Sequence, residues 1–399
     1  MSWEYVTLDK LGNISRGRSK HRPRNDKVLF GGKYPFVQTA DVKAAELYLT
    51  EYTETYNERG LEQSKLWKKG TLCITIAANI ADTAILGMDA CFPDSIMGFV
   101  PFEGVSNVKF VKYAFDILQR DCQKISQGTA QDNLSWKKLS TIKFPAPPIE
   151  IQDKIVGILS VYDDLIENNQ KQIKLLEETA QRLYKEWFVD LCFPGHEDVA
   201  IVDGVPEGWK KQRISEFGDI ITGKTPSTSK EQYYGGSIPF VKIPDMHGCV
   251  YPITTEITLT TEGANTQRNK FIPKNGIMVS CIATVGLVNI AIEHCQTNQQ
   301  INSIILNNEQ DLYYVYFTMK RLKALLEGVG SNGATMTNVN KTKFGNLEVL
   351  YPTEDLCKTY FNFCEPIFKK IYSLSVSNNK LVQARDRLLP KLMCGEIEV

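Results

Sequence analysis

The residues with the most specific chemical spacing are Gly218-Asp219-Ile220-Ile221-Thr222-Gly223-Lys224-Thr225, which fit the G-x-x-x-x-G-K-[ST] pattern of a phosphate-binding loop. Such a loop cradles a nucleotide's phosphates in backbone N–H groups and needs a helix that starts at the Lys-Thr pair. Pro226 disfavours helical geometry at Thr225, the residue before it, and no apolar strand ending in a magnesium-binding Asp stands out downstream. The same frame stands 206 residues earlier, as Gly12-Asn13-Ile14-Ser15-Arg16-Gly17-Arg18-Ser19, with Arg in place of Lys. The two copies share a glycine turn presenting one cation, which argues against nucleotide hydrolysis.

That turn suits contact with a nucleic acid. The first copy carries Arg16, Arg18, Ser19, Lys20, His21, Arg22 and Arg24, and the second Lys224, Thr225, Ser227, Thr228, Ser229 and Lys230. Arg reads guanine bidentately, while Ser, Thr and Lys hold phosphates. A single run of this kind reads more simply as a solvated surface loop; its recurrence at one place in both copies favours binding. Gln38 and Thr39 in the first copy and Lys242 in the second follow a shared strand and join the candidates. A further pair of small polar segments contains Gln127, Thr129 and Gln131, then Ser331, Asn332 and Thr335. Gln131 and Asn332 are side-chain types that pair with adenine, although helix-ending turns with capping residues account for these segments equally well. No G-x-S-x-G, H-E-x-x-H, Asn/Asp-Pro-Pro-aromatic or glycine-rich dinucleotide motif occurs. Pro93-Asp94 looks like a nuclease start without a convincing acidic-x-Lys partner. No catalytic or metal-binding residue is assigned.

The elements that position these turns emerge from self-similarity. Trp3 begins WEYVTLDKLGNISRGRS and Trp209 begins WKKQRISEFGDIITGKT; GGKYPFVQTADV from Gly31 answers GGSIPFVKIPDM from Gly235. Gly70 to Ile76 matches Gly276 to Ile282, and Gly128 to Leu134 matches Gly333 to Val339. Within each copy, β-rich runs alternate with Gly, Pro and Asn-rich turns and one short helix, near Lys112 to Gln119 or Leu312 to Leu326, so each reads as an α+β domain.

A long helix comes after each copy. From Asp153 to Asp190 the seam Ile155, Leu159, Tyr162, Ile166, Asn169, Ile173, Leu176, Ala180, Leu183, Trp187 alternates steps of four and three. From about Asp355 the same rhythm recurs as Tyr360, Cys364, Ile367, Ile371, Leu374, Asn378, Leu381, Arg385, Leu388, Leu392. Pro366 is expected to kink or restart this second helix and Pro390 to disturb its last turn. Charged residues line the other faces, so each helix needs one apolar partner. Antiparallel packing of the two in one chain is the simplest arrangement, and a homodimeric coiled coil is the competitor. Tyr162, Ile166, Leu176, Leu183, Trp187, Ile371, Leu381 and Leu388 are the candidate partner-packing positions.

Composition is permissive: 399 residues, 43% hydrophobic and 23% charged, suit two or three domains with sizeable cores. Formal net charge is zero, so nucleic-acid binding must come from local patches. The ten cysteines fall singly with no C-x-x-C pair, pointing to buried thiols rather than zinc or a disulfide framework. The N-terminus lacks a signal-peptide pattern and no long apolar run occurs, so a cytoplasmic location is expected.

In this order and at these spacings the motifs strongly resemble the DNA specificity subunits of type I restriction-modification enzymes. The resemblance rests on the doubled GGKYPFVQTADV/GGSIPFVKIPDM and LGNISRGRS/FGDIITGKTPS, on FPAPPIEIQDKIVGIL and LYKEWFVD around the first helix, and on RLLPKLMCGEIEV at the end. It implies an α+β fold class: two repeated target-recognition domains, residues 1–150 and 209–352, separated by two long antiparallel helices forming a coiled coil, 151–192 and 353–399, with a linker over 193–208. It further implies a non-catalytic reader of a bipartite double-stranded DNA target, whose helices set the gap and dock two modification (methyltransferase) subunits, with restriction (translocase/nuclease) subunits able to join. S-adenosylmethionine, ATP and Mg would belong to those partners and no cofactor to this chain. The halves differ where ACFPDSIMGF stands against HCQTNQQINSI, so they should read different sequences. A protein scaffold and a stand-alone nucleotide-dependent enzyme using Gly218 to Thr225 are the alternatives.

Overall fold

A computed structural model of the chain describes residues 3–77, 80–126, 136–322 and 339–399. It divides into two compact units, Met1–Leu165 with Leu381–Val399, and Ile166–Lys380.

The first unit is built on a five-stranded sheet in the order Gly12–Arg16, Ile96–Pro101, Leu72–Thr75, Thr83–Leu86, Tyr48–Leu49. All its pairings are antiparallel except the last. Alternation along the central strand sends Leu72 and Ile74 into one apolar cluster and Cys73 into another, so both faces are covered. The first cluster joins the sheet to the helix Val108–Ser126 through Phe110, Val111, Ala114 and Phe115, and to the long helices through Ile155, Leu159, Leu389 and Leu392. A second sheet carries Phe30–Phe36 between Glu54–Tyr56 and Ala90–Cys91.

The second unit repeats this plan. Its main sheet has the order Gly218–Thr222, Ile301–Leu306, Ile277–Ser280, Val288–Ile290, and Tyr234–Val241 forms the second sheet with Ile257–Leu259 and Gln296–Thr297. Ile277 and Val279 face one cluster and Met278 the other. The helix Leu312–Lys320 is buried from Leu312 to Met319, so it has no solvent face that would show as an amphipathic period.

The long helices span Ile149–Phe188 and Glu354–Met393, 40 residues each, or about 60 Å at 1.5 Å per residue. The first starts earlier than expected, just after Pro148, where buried Gln152 donates to the Pro147 carbonyl at 2.9 Å and accepts Asn107 N–H at 3.0 Å. The second runs unbroken through Pro366 and Pro390, contrary to expectation. Both prolines are exposed, so water can satisfy the carbonyls they free, while Cys364, Phe368 and Ile371 beside Pro366 are fully buried and hold the helix by packing.

The seams meet within the chain, antiparallel in each unit. In the first, Arg385 Nη1 donates to Asp163 Oδ1 at 2.7 Å and Lys154 Nζ to the Val399 carbonyl at 3.3 Å. In the second, Asn169 Nδ2 donates to Asn378 Oδ1 at 2.8 Å, and Tyr360 Oη to the Ala180 carbonyl at 2.8 Å. Each unit also ties its shorter helix to an acid on the first long helix: Tyr113 bonds Asp163, while Tyr316 (2.7 Å) and Lys320 bond Glu177. Ile166 and Ile371 are buried in the seam; Tyr162, Leu176, Leu183, Trp187, Leu381 and Leu388 are half-buried. No helix among the described residues is long and apolar enough to cross a membrane.

Candidate nucleic-acid interface

Each copy of the turn leaves the edge strand of its main sheet in the same way. Gly17 N–H donates to the Ile96 carbonyl (2.8 Å) and Arg18 N–H to that of Phe92 (3.1 Å); Gly223 N–H donates to Ile301 O (3.1 Å) and Lys224 N–H to Thr297 O (2.9 Å). A Cβ on Gly17 would stand 2.3 Å from the Pro93 carbonyl oxygen, and one on Gly223 2.2 Å from that of Asn298, so backbone crowding demands glycine in both. The next residue is therefore fixed at its backbone while its side chain, Arg18 or Lys224, lies in solvent. No helix begins at Lys224; the residues after the strand Gly218–Thr222 are irregular. Without helical N–H groups aimed at it, the segment has no phosphate cradle, and the nucleotide-loop alternative gains no support.

In the first loop the cations sort into two kinds. Arg24 pairs with Asp94 at 2.7 Å, and Arg22 Nη1 folds back onto the Ser19 and His21 carbonyls, both at 2.7 Å. Those charges brace the loop. His21 meets Asp26 at 2.8 Å, and the Val28 backbone N–H, then His21, hold the Asp26 carboxyl below its usual range. The side chains of Arg16, Arg18 and Lys20 are exposed and make no ion pair or hydrogen bond among the described residues. Arg18 and Lys20 border an open cleft with Arg59 and Gln63, two residues the sequence reasoning passed over. Ser19 is buried against the Tyr56 hydroxyl.

The second loop is less charged. Lys224 and Ser227 are exposed, and Ser227 meets Ser229 at 2.9 Å. Thr225 Oγ1 donates to Gln299 Oε1 at 2.9 Å. Lys230 donates to Tyr233 Oη at 3.0 Å. Gln38 and Lys242 occupy equivalent positions: the backbone N–H of each donates to an acid three residues on, Asp41 or Asp245, at 2.8 Å. Their side chains are engaged, Gln38 with Glu54 (2.6 Å) and Lys242 with Glu256 (3.1 Å). Thr39 is half-buried at the start of the helix Thr39–Ala44. Gln127, Thr129, Gln131, Ser331, Asn332 and Thr335 lie outside the described residues.

Contrary to the expectation of buried thiols throughout, Cys192 and Cys394 are exposed; the other eight are buried or half-buried. Burial pushes Cys249 and Cys364 up to about 12, which keeps them protonated and unreactive at neutral pH.

Comparison with known proteins agrees with this architecture. The family model described as type I restriction modification DNA specificity domain matches residues 1–178 and 206–371, one stretch per repeat. The type I restriction enzyme HindI specificity subunit of Haemophilus influenzae is 34% identical over 462 aligned residues, covering 97% of this chain and 98% of that protein. The MjaIX specificity subunit of Methanocaldococcus jannaschii is 25% identical, covering 100% of this chain and 94% of the relative. The crystal structure of a type I restriction-modification S subunit from M. genitalium shares the fold, with a TM-score of 0.58 at 15% identity over 98% of this chain and 96% of that one. With both repeats matched by one family model and a full-length relative above 30% identity, the chain belongs to the type I restriction-modification DNA specificity family.

Proposed function

We propose that this chain is the sequence-specific DNA-binding subunit of a type I restriction-modification complex and is not itself a catalyst. Each repeat reads one half of a bipartite duplex target; the paired helices set the gap between halves and dock two modification subunits, which restriction subunits join. The observation that carries the reading is the glycine-forced turn, built with the same backbone bonds in both repeats and each time offering a solvent-facing cation. In the first repeat Arg16, Arg18 and Lys20 are the contacts to phosphate or guanine, and in the second Lys224 with Ser227. Arg22 and Arg24 shape the first loop. S-adenosylmethionine, ATP and Mg are supplied at the partner subunits, and the complex works in the cytoplasm, where the DNA is.

Methylome sequencing of cells carrying this chain with its modification partner tests the reading. The expected result is modified adenine in a two-part motif with one fixed gap. A single undivided motif, or methylation indifferent to sequence, overturns it.

A further inference from the structure

The basic turn of each repeat is buttressed by a glutamine at or just past the C-cap of a short helix, Gln63 and Gln267. Gln63 sits at the C-terminal end of the helix Glu58–Glu62, and its Oε1 accepts the backbone N–H groups of Lys20 (2.6 Å) and His21 (3.0 Å). Gln267 lies just beyond the helix Thr261–Asn265, is 4% exposed, and donates to the Lys224 carbonyl (2.6 Å) and to Gln296 Oε1 (2.8 Å). Chemistry settles both amide orientations, because a backbone N–H must meet the amide oxygen and a backbone carbonyl the amide nitrogen. The two glutamines thus do the same task with opposite polarity.

Their platforms match as well. Asn57 Nδ2 donates to the Val28 carbonyl (2.9 Å) and Thr260 Oγ1 to that of Gln232 (2.8 Å), each from the N-cap of the short helix that the glutamine follows. Gln63 also meets the Tyr56 hydroxyl, while Gln267 Oε1 is buried without a partner among the described residues. An apolar side chain in either place would strip those backbone groups of their partner, so the amide is what ties the turn to the helix beside it.

We propose that Gln63 and Gln267 are the positioning residues of the two DNA-reading turns, Gln63 as acceptor and Gln267 as donor, fixing the backbone that carries Arg18 and Lys20 or Lys224. This rests on the reading of the chain as a specificity subunit.

The test uses the full chain in complex with its modification subunits. The probes are a duplex bearing the bipartite sequence found by methylome sequencing and two duplexes with one half scrambled; the readout is the affinity ratio between intact and scrambled. Gln63→Leu lowers discrimination at one half-site about tenfold, while Gln63→Glu, whose carboxylate still accepts both N–H groups, retains it. Gln267→Glu, which cannot donate to the Lys224 carbonyl, lowers discrimination about tenfold at the other half-site. The added negative charge weakens intact and scrambled binding alike and cancels in the ratio. The unaffected half-site reports that the chain is folded. Equal loss at both halves, or Gln63→Glu as damaging as Gln63→Leu, overturns the proposal. Discrimination that survives every substitution also overturns it, whereas an unsubstituted complex that discriminates at neither half overturns the functional reading beneath it.

Discussion

Arg385 holds a seam position where the heptad calls for an apolar side chain. Its Nη1 donates to Asp163 Oδ1 at 2.7 Å, Asp163 accepts the Tyr113 hydroxyl on its other oxygen, and Asp163 is only 6% exposed. Replacing Arg385 by Leu leaves that carboxylate buried with one neutral donor. Breaking a buried pair from one side costs about 3–5 kcal/mol, and the 23% exposure of the Arg385 side chain places this case near the lower end, about 3 kcal/mol. For a folding unit of this size that is a fall of roughly 6–12 °C in melting temperature. The double variant Asp163→Asn/Arg385→Leu removes both charges yet keeps an acceptor for Tyr113, so it should lose only about 1 kcal/mol. Urea titration followed by circular dichroism, with calorimetry, measures these two variants and Asp163→Asn alone in a double-mutant cycle. If the double variant is no more stable than Arg385→Leu, the carboxylate is not what the arginine protects and the argument fails.

Gly223→Ala drives a methyl group into the Thr297 and Asn298 carbonyls and should cost about 1–3 kcal/mol by overpacking, lowering the thermal midpoint and loosening one half-site; unchanged stability contradicts the crowding argument. Charge removal at Arg16 and Arg18 should weaken binding at the other half-site and reduce its salt dependence, whereas Arg24→Gln, which releases Asp94, should affect it less; duplex titration at two salt concentrations distinguishes them. Burial raises Asp311 above the usual carboxylate range although Tyr351 Oη donates to it at 2.8 Å. A raised folded value favours stability below the unfolded pKa and loses it as pH rises, so Asp311→Asn should be more stable than the unsubstituted chain near about pH 7, with the difference shrinking as pH falls toward about 4. A difference independent of pH in melting experiments contradicts this. Inserting four residues near Asn169, about one helical turn, should change the gap between half-sites in the methylome.

Much of the architecture could be read beforehand because it is written in periodic and repeated signals. The four-three seams located both long helices, and the doubled glycine motifs located the strands and turns they connect. Two boundary details escaped. The helix start after Pro148 depends on Gln152 bonding across to Asn107, 45 residues away in sequence. The unbroken passage through Pro366 depends on which side of the helix meets water.

The candidate site divides in the same manner. Sequence alone determined that a glycine followed by a cation stands at equivalent places in both copies, since the repeat aligns the two motifs residue by residue. Only the tertiary structure decided which charges are free. Arg24 is met by Asp94, Lys242 by Glu256 and Gln38 by Glu54, while Arg16, Arg18, Lys20 and Lys224 face solvent. It likewise brought Gln63 and Gln267 under the turns they hold. The physical reason is that residue type and local spacing set what a side chain can do, whereas its partner is chosen by chain folding that brings distant residues within hydrogen-bond reach.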